Sequence, residues 1–153
     1  MTITLESIKA DADALAAKIA IFEAQAATIP AFFLPEITID LRQGEHYAGL
    51  IVGHGGEPSY HLVLLPGEAE SINWNDAKAW ANGQDGELPS RREQALLYAN
   101  LRDQFKPECY WSNQQHEDNA AWVWCQGFSY GYQGGIHKFH QLRARAVRRL
   151  VIE

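Results

Sequence analysis

The sequence predicts an α+β domain, in which two helices flank a mostly antiparallel twisted sheet, preceded by a separate N-terminal coiled-coil helix. Three observations predict it. Apolar residues recur at alternating spacings of three and four over residues 4–29, two helix-capping signals follow a β-hairpin pattern, and the last third consists of short aromatic runs typical of strands. A chain of 153 residues suits one such domain with an appendage.

The N-terminal segment has the seam of a coiled coil. Thr4 is the expected N-cap, and Pro30 is expected to end the helix. Because the stripe is narrow, we expect it to join copies of the chain into a homo-oligomer, with a trimer favoured over a dimer. The alternative is an amphipathic helix docked on its own domain. The seam positions are Leu5, Ile8, Ala12, Leu15, Ile19, Phe22, Ala26 and Ile29.

The expected domain organisation is this helix over residues 1–29, a linker over 30–45 and a folded domain over 46–153. The linker contains a possible short strand at Ile37–Leu41. The first predicted hairpin joins strands at Tyr47–Val52 and Tyr60–Leu65 through a Gly-rich turn.

Two helices and several further strands follow the hairpin. Asn73 or Ser71 is expected to cap a helix over Trp74–Asn82, and Ser90 with Glu93 forms a capping box for a second helix that ends near residue 104. Strands are expected at Cys109–Ser112, at Ala121–Phe128 and once or twice between residues 138 and 152, with loops over 113–119 and 129–135.

Charge and hydropathy exclude several classes of protein. The net charge of −6 argues against nucleic-acid binding, and no apolar run approaches the roughly 20 residues that span a bilayer.

The basic cluster near the C-terminus consists of Arg143, Arg145, Arg148 and Arg149. We expect these side chains to form ion pairs with carboxylates and not a phosphate site. We expect Cys109 and Cys125 to be free buried thiols and not to form a disulfide.

Several motifs in order resemble the C-type-lectin-like domain. They are Trp74-Asn75-Asp76-Ala77, Gly86–Glu93, Tyr110-Trp111-Ser112, Ala121-Trp122, Phe128 with Gly131, and Arg145-Ala146-Val147-Arg148. The nearest branch is the C-terminal domain family of bacterial collagen-like proteins, which also occurs as stand-alone proteins of tailed phages and prophages. The resemblance covers about residues 45–150.

The resemblance implies a role for each motif. Trp111 would lie in the central strand, and Val147 in a closing strand that pairs with the N-terminal hairpin. The stretch between Trp111 and Arg143 would be exposed and would bind a ligand. Relatives diversify this stretch to change their target.

The ligand-binding residues expected from this reasoning are mostly polar and aromatic. Trp122, Trp124 and Gln126 share one face of a strand, and that face is either a binding platform or core. Tyr and Gly together are typical of adaptable binding surfaces. The full set is Asn113, Gln115, His116, Glu117, Asn119, Trp122, Trp124, Gln126, Tyr130, Tyr132, Gln133, His137 and His140.

Metal and catalytic sites are weakly indicated. Asn75 and Asp76 resemble a lectin calcium tripeptide but stand in the wrong segment, and His137 and His140 fall on opposite faces of a strand. The two cysteines lack a base and an orienting group. We expect no metal, no cofactor and no enzymatic activity.

The sequence therefore predicts a non-enzymatic phage or prophage binding protein that presents an aromatic-rich, lectin-like face to a protein or glycan, in host attachment or on a tail fibre. The alternative is an intracellular phage protein that captures and inhibits or regulates a host protein. Because no signal peptide precedes the helix, synthesis is expected in the host cytoplasm, with the virion as a further location.

Overall fold

The computed structural model describes residues 3–27 and 34–153, and the chain divides into two compact units, Met1–Ile39 and Asp40–Glu153. The expectations for Ile29 and Pro30 concern positions outside the described residues. In the first unit, helix α1 spans Leu5–Ala27. Thr4 caps it as predicted, because its hydroxyl accepts a hydrogen bond from the Ser7 N–H at 3.2 Å.

The second unit is a mixed α+β domain, which confirms the coarse fold class. Its strands are β1 (His46–Ile51), β2 (Tyr60–Leu64), β3 (Ala69–Ile72), β4 (Cys109–His116), β5 (Asn119–Gly127), β6 (Gln133–His137), β7 (Leu142–Ala144) and β8 (Val147–Val151). Its helices are α2 (Trp74–Gly83) and α3 (Arg91–Leu101), and a 3₁₀ turn at Arg102–Gln104 follows α3.

The strands form two curled sheets. One has the order β1-β2-β8 and is antiparallel, with Val147 opposite Leu64. The other has the order β3-β7-β4-β5-β6, and only the β4–β7 pair is parallel. The predicted hairpin is therefore present as β1–β2, Val147 lies in a strand that pairs with it, and β4, which carries Trp111, is central in the larger sheet.

Both predicted helix starts are confirmed. The Asn73 side chain accepts a hydrogen bond from the Asp76 N–H at 3.0 Å. At the start of α3, the Ser90 hydroxyl accepts from the Glu93 N–H at 3.2 Å, while the Glu93 carboxylate accepts from the Ser90 N–H at 2.7 Å. This reciprocal pair satisfies N–H groups that have no partner within the helix.

Two clusters of buried side chains form the core. One lies around Trp111, between α2 and the larger sheet, and the other lies around Tyr110 and Phe128, beneath α3 and the β1–β2 hairpin. Trp111 and Tyr110 are neighbours in β4, so their side chains point to opposite faces of the sheet. Each face of the central strand is thus covered by a helix.

The strands differ from the sequence expectations at four places. Residues 37–41 form no strand, and β3 was not predicted because its composition, Ala-Glu-Ser-Ile, carries little strand signal. The predicted loop over 113–119 is instead the end of β4, a turn at residues 117–118 and the start of β5. Similarly, β6 begins at Gln133, within the second predicted loop. Polar residues can extend a hairpin where its backbone groups pair across the ladder.

The C-terminal arginines bind carboxylates, as predicted. Arg143 pairs with Glu68 and with Glu108, and Arg148 donates to both carboxylate oxygens of Glu45, at 2.8 and 2.7 Å. Arg145 differs, since it donates to the backbone carbonyls of Gln104 and Leu65.

Candidate binding face

One face of β5 is buried at the C-terminal end of the strand and exposed toward its N-terminal end. Gln126, Trp124 and Trp122 alternate along one side of β5, and their exposure rises from 1% at Gln126, through a half-buried Trp124, to 42% at Trp122. The gradient follows the course of helix α3, which begins with Arg91 over Trp124 and reaches Phe128, just after β5, through Tyr98. Gln126, which was predicted to contact a ligand, is therefore buried.

Trp124 is held in a stack of side chains. The Arg91 guanidinium lies 3.6 Å from the ring centroid of Trp124, and the His116 imidazole is stacked on the indole at 4.8 Å between centroids. The indole N–H donates to Glu117 at 3.1 Å, and Glu117 also pairs with Arg91 at 3.8 Å. Trp124 therefore supports the site and does not offer a free ring face.

Arg91 ties this stack to neighbouring strands. Its backbone N–H donates to the Gln114 side chain at 2.7 Å, and its guanidinium donates to the side-chain oxygen of Gln133 at 3.1 Å. The side-chain nitrogen of Gln133 in turn donates to the backbone carbonyl of Arg91 at 2.7 Å. Gln133 was predicted to bind a ligand, but these bonds show that it joins β6 to α3.

Beyond the stack lies an open cleft of about 280 Å³, lined by His116, Asp118, Asn119, Trp122 and Gly135. Gly135 forms its floor, opposite Trp124 in the β5–β6 ladder. A Cβ at this position would lie 3.2 Å from His116 Cδ2 and 3.5 Å from Trp122 Cε3, so the glycine keeps the space between the two rings open. Sequence reasoning missed Asp118 and Gly135, because only the pairing of β4, β5 and β6 places them here.

The polar groups of the cleft are oriented by the β4–β5 turn. His116 Nδ1 accepts from the Asp118 N–H at 3.3 Å, which assigns the proton to Nε2. The side-chain oxygen of Asn119 accepts from the Ala121 N–H at 2.9 Å, which leaves its amide N–H groups as donors. The lining thus presents one carboxylate acceptor and two donor groups beside the exposed ring of Trp122.

The predicted tyrosines lie at the other end of the strand. Tyr130 follows the end of β5 and is 87% exposed, whereas Tyr132 is packed on Gly127 and its hydroxyl lies 3.2 Å from the Cys109 sulfur. Trp122 lies five residues before Gly127, which is roughly 17 Å along a strand. The predicted residues therefore do not form one continuous face.

The remaining predicted residues have separate surroundings. Asn113 donates its backbone N–H to the Pro89 carbonyl, and the Gln115 side chain donates to the Ala120 carbonyl. His137 lies opposite Trp122 in the ladder and its ring contacts Phe139, which is 72% exposed. His140 is exposed in the turn after β6. Phe139 was not among the predicted residues.

The two cysteines are free thiols. Burial raises the pKa of Cys125 to about 12, and the neighbouring Cys109 thiol adds to the shift. Since the thiolate is the nucleophile, Cys125 is a poor one at neutral pH.

A larger depression of about 490 Å³ lies near Tyr60, Glu93 and Arg149. Two of its charged groups, Glu93 and Arg149, already satisfy each other. Glu93 is fully buried and accepts from the Tyr60 hydroxyl at 2.7 Å and from Arg149 at 2.5 and 2.9 Å. Burial opposes ionisation of Glu93, but these bonds outweigh it and hold its pKa below the usual value. The buried Glu93 carboxylate is therefore satisfied by neighbouring groups of the protein, and its burial does not indicate a ligand.

Among residues 3–27 and 34–153, no group of three His, Cys, Asp or Glu side chains is placed to hold a metal ion. None of the helices found there combines the length and the apolar character that crossing a membrane requires.

No protein-family model matches this chain, and a search of curated proteins found no match.

Proposed function

We propose that this chain is a non-enzymatic binding protein of phage or prophage origin, with a C-type-lectin-like domain that presents the cleft beside Trp122 to a protein or glycan. The observation that carries this proposal is an exposed indole next to an open cleft, on a sheet whose adjoining side chains are fixed by hydrogen bonds and stacking. Large exposed rings at rigid positions are typical of binding hot spots.

The lectin-like assignment is supported by topology together with the motifs. The closing strand β8 pairs with the N-terminal hairpin, and Trp111 is fully buried in the central strand β4. Both features are what the resemblance implies. Phage origin rests on the resemblance alone, and attachment to a host surface, or a place on a tail fibre, follows from it as the proposed role.

The function is tested by measuring attachment of the labelled full-length protein to host cells and to isolated envelopes. Trp122→Ala should reduce saturable binding at least tenfold, since a central exposed ring carries much of the binding energy. Tyr130→Ala is the control, because this ring is more exposed than Trp122 (87% against 42%) and lies at the far end of β5. Equal binding by the Trp122 variant and the wild type would reject the assigned face. Detection of the protein in host extracts but not on purified virions would favour the intracellular role.

We further propose that α1 joins copies of the chain. All of its residues are exposed, including large apolar side chains at the seam, Leu5, Ile8, Leu15, Ile19 and Phe22. An isolated helix of this length in water gains most of its stability from packing, so a second copy is the natural occupant.

One pair of charges beside the seam suits a parallel arrangement of the helices. With Leu5 at position a, Lys18 falls at g and Glu23 at the following e, which are partners between neighbouring helices of a parallel coiled coil. An antiparallel pair in register would bring Lys18 near its own copy. In a parallel trimer, all domains leave the bundle at the same end, which would raise the avidity for a surface with repeated ligands.

Light scattering of full-length variants tests the oligomer. Leu15→Glu places a charge in the seam and should shift the mass toward the 17.2 kDa of one chain. Ala17→Glu lies on the opposite side of the helix and should leave the mass unchanged. A wild-type protein that is already monomeric would contradict the coiled coil.

A further inference from the structure

The cleft beside Trp122 has a pattern of hydrogen-bonding groups that selects among ligands. Asp118 offers only acceptors, whereas the amide of Asn119 and Nε2–H of His116 offer donors. A ligand that fits must therefore both donate and accept over a short distance. Hydroxyl groups do both.

The size and shape of the cleft limit the ligand further. Its volume of about 280 Å³ lies just below the roughly 300 Å³ at which drug-sized ligand sites begin, so it suits a single ring. One wall is the indole of Trp122, which is 42% exposed, and the backbone at Gly135 also lines the cleft. An apolar ring face on one side and several hydroxyl partners on the other match a pyranose.

We propose that this cleft binds one neutral pyranose residue of a glycan, with a face of the sugar ring against Trp122 and its hydroxyl groups on Asp118, Asn119 and His116. This proposal rests on the proposed function and specifies its ligand.

Other ligand chemistries fit less well. An organic cation would suit Trp122 and Asp118 but would leave the donors of Asn119 and His116 without acceptors. An anionic sugar or phosphate would meet the Asp118 carboxylate on a protein of net charge −6. A planar aromatic side chain would leave all three polar groups unmatched, which is costly once water is displaced.

The inference is tested by titrating the isotopically labelled full-length protein with methyl pyranosides of glucose, galactose, mannose and N-acetylglucosamine, and following the indole N–H resonances by NMR. A ligand of roughly 13 non-hydrogen atoms at ordinary ligand efficiency binds with a Kd of about 1 mM. At least one pyranoside should shift the Trp122 resonance saturably in this range, and the resonance is assigned by its loss in Trp122→Phe.

Two variants and one control locate the site. Trp122→Ala should weaken binding at least tenfold, as followed through the neighbouring Trp124 resonance, and Gly135→Ala should weaken it by crowding His116 and Trp122. Tyr130→Ala should bind like the wild type. The remaining indole resonances report that each variant is folded.

Three outcomes overturn the proposal: no pyranoside shifts the Trp122 resonance, the shift persists at full affinity in Gly135→Ala, or tetramethylammonium binds this cleft more tightly than every sugar. These outcomes are distinguishable from failure of the proposed function. If attachment to cells still depends on Trp122 while no pyranoside binds, the glycan assignment is wrong and the binding face stands. If attachment does not depend on Trp122, the proposed function is wrong.

Discussion

Replacing Glu93 with Gln should destabilise the folded domain by about 3 kcal/mol, because it removes the buried charge that pairs with the Arg149 guanidinium. Glu93 is fully buried, and its two oxygens accept hydrogen bonds from Arg149, Tyr60 and the Ser90 N–H. Breaking a buried pair by removing one charge costs about 3–5 kcal/mol. The lower end applies here, since the Arg149 side chain is 26% exposed and keeps Glu87 as a second partner.

Urea unfolding of the full-length protein at one fixed concentration measures this loss. The midpoint should fall while the slope stays constant, because the surface exposed on unfolding is unchanged. Glu87→Gln is the matched control: Glu87 also pairs with Arg149, but its side chain is 59% exposed, so its loss should cost less than about 1 kcal/mol. Equal effects of the two substitutions, or a loss at Glu93 under about 1 kcal/mol, would refute the assignment of a buried pair.

The pH dependence gives a second, independent check on Glu93. Its pKa in the folded state lies below 4.5, so its ionised form contributes stability that is fully present above pH 4.5 and is lost as the pH falls through the folded value. The difference in stability between the wild type and Glu93→Gln should therefore shrink below pH 4.5. A difference that stays constant down to strongly acidic pH would contradict this account.

Three further predictions concern the rest of the domain. Trp124→Ala should lower stability by about 1–3 kcal/mol, because it removes a half-buried ring that stacks with two partners, and urea unfolding measures it. Gly131→Ala should cost about 1–3 kcal/mol in the same assay, since Gly131 has φ +81° and a Cβ there would lie 2.7 Å from a tyrosine ring. A thiol reagent at neutral pH should modify Cys109 much faster than the buried Cys125, as mass spectrometry of the folded protein would show.

Local signals in the sequence were sufficient to predict the helix starts and the first hairpin. The Ser90–Glu93 capping box depends on residues three apart, and the side chains close the pair regardless of the rest of the fold. The ion pairing of the C-terminal arginines was also predictable, because an acidic chain supplies many carboxylates. The length of β4 and the presence of β6 were not, since their polar residues are held by the ladder and carry no apolar alternation.

The candidate site shows a different limit of sequence reasoning. Trp122, Trp124 and Gln126 share one periodicity, and nothing in that pattern distinguishes an exposed ring from a supporting one or from a buried amide. The difference arises from α3, which is distant in sequence and covers one end of β5. Asp118 and Gly135 were missed for the same reason, because a turn aspartate and a strand glycine become part of a cleft only when β6 pairs with β5.

The starting point of α3 therefore decides whether the sheet has an open site. Along α3, Arg91 lies over Trp124, Gln94 donates to the carbonyl of Tyr110, and Tyr98 contacts Phe128, so the helix runs from the Trp124 end of β5 toward its C-terminal end. One added turn at the N-terminus would extend the helix by about 5.4 Å, comparable with the roughly 7 Å between Trp124 and Trp122 along the strand. Such an extension would cover Trp122 as the existing helix covers Gln126. The Ser90 cap thus fixes both the stability of α3 and the boundary of the exposed face.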